Sequence, residues 1–283
     1  VEPASIDEVP LLLEEVRRSG DKVVVRGFGK HSPDVRGVKK LYMRKLQGYE
    51  ISGEELVAQA GASVTKAQEE ALSLGYMIPT TYDGTAGGLV ASDMPSPLST
   101  AFGNPSDWIT ELKVAFPGKV VSWKALAGTF GKLGAVLEVR LKLFPRPKGV
   151  YTHSKTYDSI ALEEVEKALK MRPLATLVEY EGSWRVYVTY DRKLDLEGFS
   201  VDEGAVGLTY QPSKRTFIAR PNGFTEFVEL VKRVEPRLAV YVHGGSYAFF
   251  EDPKNEEPLT KWGNLSTGKY LVKRLLDPTG IFF

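Results

Sequence analysis

Leu126-Ala127-Gly128-Thr129-Phe130-Gly131-Lys132-Leu133-Gly134 runs straight into Ala135-Val136-Leu137-Glu138-Val139-Arg140-Leu141-Lys142-Leu143-Phe144. The second half alternates. Leu137, Val139, Leu141 and Leu143 share one side and Glu138, Arg140 and Lys142 the other, as in a strand with one face in water. The first half is a turn punctuated by three glycines at a spacing of three. It is not a Walker loop, because no Gly stands five residues before Gly131-Lys132 and no Ser or Thr follows the lysine. Read by itself, it is the end of a short helix (123–127) turning into a strand.

Working back, Trp108 to Phe116 reads as a strand ending in the turn Pro117-Gly118. Residues 79–88 are poor in large apolar side chains and rich in glycine, and Pro95, Pro97, Gly103 and Pro105 prolong the loop character. Within this stretch Thr85-Ala86-Gly87-Gly88-Leu89-Val90-Ala91-Ser92 offers small residues that let backbone approach a ligand closely, after a Gly84 that tolerates unusual dihedrals. A long surface loop is the other reading. Residues 5–19 form an amphipathic helix with Ser5 and Glu8 as a capping box, a Val9, Leu12, Leu13, Val16 stripe, and Gly20 as its stop. Strand-like runs follow at 22–26, 38–42 and 57–60, then a helix at 63–74 closed by Gly75.

The strand at 22–26 ends in Gly27-Phe28-Gly29. A Rossmann turn would need a third glycine opening an uninterrupted helix, and here Ser32, Pro33, Gly37 and Lys39-Lys40 follow instead. Such a turn still binds phosphate when its N–H groups form a nest, with Lys30 and His31 as charged neighbours. An ordinary tight turn is the alternative.

Composition narrows the field. The chain has 283 residues, 37 Lys plus Arg against 36 Asp plus Glu, and no Cys. That length suggests about two domains. The charge balance gives no footprint for nucleic acid, and the missing Cys excludes disulfides, thiolate metal sites and iron–sulfur clusters. Asn, Gln and Met occur four times each while charged residues reach 26%, a pattern expected of a thermophile protein. The first 20 residues hold no apolar signal core, and no run of about 18 apolar residues occurs anywhere, so a cytoplasmic protein without a membrane span is expected.

Pro145-Arg146-Pro147-Lys148-Gly149 reads as a boundary between residues 1–147 and 148–283. Beyond it the pattern gives a strand, a helix at 162–170, a strand pair around Gly182-Ser183, a strand near 207–210, a helix at 225–234, a strand at 238–242 and a last helix at 265–276. Two helices against about four strands make a small α+β layer, with no series suited to a barrel of parallel strands.

Taken in order, the motifs resemble the vanillyl-alcohol-oxidase (PCMH) type of FAD-binding domain. They are Arg26-Gly27-Phe28-Gly29, Thr85-x-Gly-Gly-x-Val-Ala, Asp107, and Leu126 to Gly134 running into the 135–145 strand. The ending Leu276-Asp277-Pro278-Thr279-Gly280-Ile281-Phe282 is similar to that of the 2-hydroxy-acid dehydrogenase branch. Residues 122–147 look most like the FAD-binding subunit of glycolate oxidase. The resemblance implies an α+β fold, two subdomains clasping FAD and an α+β cap over residues 148–283. By resemblance, Arg26, Gly27, Phe28, Gly29, Lys30 and His31 would meet the pyrophosphate. Tyr82, Gly84, Thr85, Gly87, Gly88 and Ser92 would line the diphosphate and flavin, and Gly134 and Val136 would hold adenine. FAD would be non-covalent, since there is no Cys and His31 does not match the linking position. The chain departs from the pattern by a shorter 118–122 segment, by Phe28 where a glycine is common, and by Lys132 where a threonine is usual.

The cap of that branch carries a His-Ala-Gly-Asp-Gly-Asn-x-His motif, of which His243-Gly244-Gly245-Ser246-Tyr247 keeps the first histidine. His243 is the candidate base, with a structural strand-end histidine as the alternative. Arg185, Arg192, Arg215 and Arg220 are candidates to grip a substrate carboxylate. Trp184, Tyr187 and Tyr190 read as packing. The implied activity is hydride removal from a small 2-hydroxy acid, with electrons passed to a sister flavoprotein and an iron–sulfur subunit. An accessory subunit without catalysis is the alternative, and any membrane association would come through those partners.

Overall fold

The computed structural model describes residues 1–28, 35–204, 210, 212–213, 215–244 and 247–283. In chain order the first half gives α1 (Glu8–Ser19), β1 (Val23–Arg26), β2 (Lys39–Tyr42), β3 (Tyr49–Ser52), β4 (Glu55–Gln59), α2 (Val64–Ser73) and β5 (Tyr76–Met77). There follow α3 (Ala86–Ser92), α4 (Ser99–Phe102), α5 (Pro105–Trp108), β6 (Ile109–Phe116), β7 (Lys119–Ser122), β8 (Ala135–Lys142) and β9 (Phe144–Pro145). The second half adds β10 (Tyr151–Tyr157), α6 (Leu162–Lys170), β11 (Ala175–Glu181), β12 (Ser183–Tyr190), β13 (Ser200–Glu203) and β14 (Phe217–Ala219). It closes with α7 (Phe224–Val234), β15 (Leu238–Val242), β16 (Tyr247–Glu251), β17 (Thr260–Lys261) and α8 (Thr267–Leu276). The expected strand near 207–210 falls largely outside the described residues.

The expected α+β fold is observed. β8, the alternating strand, lies in the middle of a five-stranded sheet ordered β3-β4-β8-β6-β7. Its apolar side, Leu137, Val139 and Leu141, is buried with Leu112, Val114 and Phe116 of β6, and Val9 and Leu13 of α1 join the same core. A helix placed there removes an apolar stripe from water, worth about 1.5–3 kcal/mol for each large side chain. α1 starts later than the Ser5 box predicts. Glu8 is its first residue, and its carboxylate accepts the Ala4 N–H at 2.9 Å instead of capping Ser5. Gly20 ends it at φ 71°, as expected.

β1 and β2 pair in parallel, and the chain terminus joins them. The Val23 N–H donates to Ile281 O at 2.7 Å and the Phe283 N–H to Val23 O at 3.0 Å. The buried Asp277 carboxylate accepts the N–H groups of Ile281 (3.0 Å) and Phe282 (3.2 Å). The Asp277-to-Phe282 motif is thus a folded hook that seats Ile281 and Phe282 in the first core.

The second half is built on an eight-stranded sheet, β13-β10-β12-β11-β15-β16-β14-β17. One face buries Val178, Val186, Tyr241 and Phe250 against α6 and α7. The other face, with Leu177, Val240, Val242 and Phe249, packs on Leu98 and Trp262. It lies over the first half, where the Thr176 N–H donates to Pro97 O at 3.2 Å and Phe130 meets Trp262 edge-on at 5.1 Å.

Candidate functional site

Three glycine clusters, far apart in sequence, meet in space. A Cβ added at Gly27 would collide with the Thr85 hydroxyl, so the turn after β1 lies directly on the residue that opens α3. Gly131 lies 3.5 Å from the Val25 side chain of β1. The Gly128 N–H donates to Val90 O at 2.9 Å and the Phe130 N–H to Ala91 O at 2.7 Å. Residues 26–28, 84–92 and 128–134 therefore form one surface. Its third member reverses direction through left-handed residues, Gly128 (φ 66°), Phe130 (φ 53°) and Gly131 (φ 71°). This explains two of the evenly spaced glycines. Gly134 (φ 103°) is required for another reason, since a Cβ there would strike Val114 of β6.

Residues 86–92 are helical and not loop. Thr85 caps α3 by accepting the Gly88 N–H at 3.1 Å, and the helix is pinned to the segment that leaves β4 by Ala86 N–H to Ala62 O (2.9 Å) and Gly87 N–H to Ala60 O (2.9 Å). These bonds have a chemical consequence. The N–H groups of Ala86, Gly87, Gly88 and Leu89 all have protein acceptors, so α3 offers no free donors and its glycines serve close approach. Gly87 touches Ala60, and Gly84 and Gly88 lie under the Tyr82 ring. Burial pushes the Tyr82 phenol up to about 12, keeping it neutral. The Ser92 hydroxyl donates back to Leu89 O at 3.2 Å.

Of the remaining expected contacts, Arg26 ends β1, Phe28 is exposed, and Val136 is buried in β8. Gly29, Lys30 and His31 lie outside the described residues.

His243 follows β15. Its Nδ1 lies 3.1 Å from the Tyr241 hydroxyl, on the face of the sheet that carries α7, where Tyr241 stacks on Phe227 at 5.0 Å. Burial pulls its pKa below the usual histidine value. Gly244 (φ 81°) then abuts Thr100, whose carbonyl oxygen a Cβ would approach to 2.5 Å. Among the described residues no hydrogen bond or ring contact joins His243 to the glycine surface.

The opposite face of the sheet does reach it. The Arg220 guanidinium sits 4.9 Å from the Tyr247 ring centroid and donates to its hydroxyl at 2.7 Å. Tyr247 feels the charge of Asp93, the left-handed residue that ends α3. Asp93 accepts from Ser106 N–H (2.8 Å) and Oγ (2.9 Å). Burial pushes its carboxyl up, opposed by those Ser106 bonds and by Lys269. Lys269 of α8 donates to Ala127 O (2.6 Å) and Gly128 O (3.1 Å); burial pulls its ammonium down, partly offset by Asp93. Asp93 and Lys269 thus meet at Gly128, and the Arg220–Tyr247 pair on the second sheet acts on them through its charge. Sequence reading found only Arg220, as one of four. Arg185 is paired with Glu179 (3.6 Å) and Glu181 (3.3 Å), Arg192 with Asp191 (2.9 Å), and Arg215 is exposed. Nothing in the spacing of Asp93 and Lys269 would have joined them.

Among the described residues no group of three or more His, Cys, Asp or Glu could hold a metal ion, and no helix is long and apolar enough to cross a membrane.

The glycines let the three segments close on one another, Gly27 on Thr85, Gly84 and Gly88 on Tyr82, Gly87 on Ala60 and Gly134 on Val114. Residues 1–122 match the FAD binding domain family. This part of the chain is an FAD-binding domain. No curated protein sequence matches it. Among solved structures, two crystal forms of alkyldihydroxyacetonephosphate synthase are similar at TM-scores of 0.69 and 0.68 with 12% and 13% identity. Each covers 99% of this chain, and 74% and 75% of the synthase chains are covered in turn. A variant of Phl p 4, a glucose dehydrogenase, is similar at TM-score 0.66 and 11% identity, covering 98% of this chain and 76% of that one. At such identities the likeness establishes a shared fold.

Proposed function

We propose that the chain is an FAD-dependent oxidoreductase subunit acting on the CH–OH group of a small 2-hydroxy acid, with electrons leaving to a separate carrier. The observation that carries this reading is the match of residues 1–122 to an FAD-binding domain, with the Arg220–Tyr247 pair on the sheet that packs over it through Trp262 and Phe130. FAD, when bound, supplies a two-electron acceptor for a hydride leaving a substrate carbon. The chain's own residues would do the rest. Gly27, Gly84, Thr85, Gly87 and Gly88 hold the cofactor surface, Gly134 and Val136 the adenine side, and the second sheet excludes water. Arg220 presents a fixed guanidinium able to take a carboxylate through two parallel hydrogen bonds. His243, kept neutral by burial, is the proposed proton acceptor. With no Cys to hold a cluster, onward transfer needs a partner, for which a sister flavoprotein and an iron–sulfur subunit are proposed.

A noncatalytic accessory subunit is the second reading. It is favoured by the position of His243 on the α7 face, bonded to Tyr241. Visible flavin absorbance of the purified protein, followed by anaerobic addition of glycolate or lactate, separates the two. Bleaching supports the oxidoreductase reading. Retained colour with both acids supports the accessory one, and full turnover by His243→Ala would remove that residue as the base.

A further inference from the structure

The edge of a sheet presents backbone N–H and C=O groups that another strand can pair, and proteins blunt such edges with charge, brevity or cover. The outer strands of the two large sheets are β13, β17, β3 and β7. Three are blunted: β13 ends in Asp202 and Glu203, β3 carries Glu50, and β17 has only two residues. β7 is different. Its one charge is Lys119 at the turn, Val120 is 49% exposed, and Trp123, directly after the strand, is 44% exposed. Trp123 keeps an extended backbone (φ −158°, ψ 110°), so the edge runs from Lys119 through Trp123.

The direction of its backbone groups follows from the ladder. The Trp123 N–H donates to Leu112 O at 3.0 Å, so Trp123 turns toward β6. That orientation alternates along an antiparallel pair, and the register Lys113↔Ser122, Val114↔Val121, Ala115↔Val120, Phe116↔Lys119 runs without a shift. Lys119 and Val121 therefore turn to β6. Val120 and Ser122 turn their N–H and C=O groups outward, where among the described residues no further strand pairs with them. The symmetry of the edge selects its occupant. Laid antiparallel about a twofold axis at Val121, a second copy brings Val121 against its own Val121, Ser122 against Val120 and Trp123 against Lys119. The outward groups of Val120 and Ser122 then exchange N–H···O bonds with those of the copy, at the hydrogen-bonded positions of the ladder. Lys119 and Trp123 lie on one face of the strand, so each ammonium meets the copy's indole and no like charges stand opposite.

We propose that β7 is a dimerisation edge, on which a second copy of the chain adds its own β7 and continues the five-stranded sheet across a twofold axis. The inference does not rest on the FAD reading, since none of these residues belongs to the glycine surface. Its test is sedimentation velocity of the full chain over a range of concentrations, for the wild type and Val120→Pro. The wild type should sediment as a dimer that dissociates on dilution. Proline at 120 removes an outward N–H from each copy and no bond to β6, a change that edge strands accept. It should weaken dimerisation about 10- to 100-fold, as for two lost hydrogen bonds. Circular dichroism checks that it is folded, and Ser122→Pro, whose N–H also points outward, replaces it if it is not. The register has its own test, because the chain has no Cys. In Val121→Cys the two thiols face each other with Cα atoms about 4.5 Å apart, within disulfide reach, so air oxidation should link the dimer covalently. Val120→Cys should stay unlinked, its counterpart lying beyond about 7 Å. A wild type that is monomeric at every concentration would overturn the proposal. So would a dimer that survives the proline unchanged, or a Val121→Cys variant that does not cross-link.

Discussion

At the scale of single residues the site depends on what is absent from a side chain. Gly27 has no room for a methyl group, because Thr85 occupies that space and its hydroxyl is fixed as the cap of α3. Gly27→Ala must push the turn off the helix. The expected cost is about 1–3 kcal/mol of stability, the usual range for overpacking, with a marked loss of FAD affinity. Denaturant midpoints and flavin titration check it, and an Ala variant matching wild type in both would mean that the turn does not rest on Thr85. His243 gives a prediction with a sign. Folding lowers its pKa from the ordinary 6.5, so the unfolded chain binds more protons between the lowered value and 6.5. Stability therefore rises as pH climbs through that window and is eroded as pH falls through it. His243→Gln should flatten the slope of stability against pH there, and unchanged slopes would show that the ring is solvated.

α3 is the element on which sequence reasoning and structure part. Two adjacent glycines and a run of prolines argue against a helix, since each interior glycine costs about 1 kcal/mol relative to alanine. Tertiary bonds reverse that balance. Ala62 and Ala60 supply acceptors for Ala86 and Gly87, and Gly87 is the residue small enough to lie on Ala60. Such acceptors come from a strand exit that no local pattern joins to residue 86. By contrast α2, α6, α7 and β8 were legible, because their apolar residues recur at the helical or strand period, with Ser63 capping α2 and Gly134 directly before β8. Thr85→Ala tests the cap: about 1 kcal/mol should be lost, with amide exchange of Gly88 accelerated more than that of Leu137. Equal acceleration at both sites would mean that the cap is not what holds α3.

For the whole molecule, the order of motifs made the FAD-binding architecture readable, while the joining of its two halves was not. The sequence shows a terminal motif and an amphipathic helix, but not that α8 reaches Ala127, Gly128 and Lys132 through two lysines one turn apart. Nor does it show that the segment after α8 returns to β1. Asp277 fixes that return. Its buried carboxylate accepts two N–H groups and orders Ile281 and Phe282, which fill the first core beside Phe116. In Asp277→Ala both N–H groups lose their acceptor, and each unsatisfied group costs about 1–3 kcal/mol, before any loss from loosened packing. Asp277→Asn keeps one acceptor oxygen and should fall between. Because Val23 pairs with Ile281 and Phe283 at the start of the strand that ends in the Gly27 turn, FAD affinity should fall along with stability, although Asp277 lies in the hook and not on the glycine surface. Thermal unfolding with and without added FAD measures both quantities. An Ala variant that unfolds at the wild-type temperature would mean that the hook is not what ties the end of the chain to the cofactor domain.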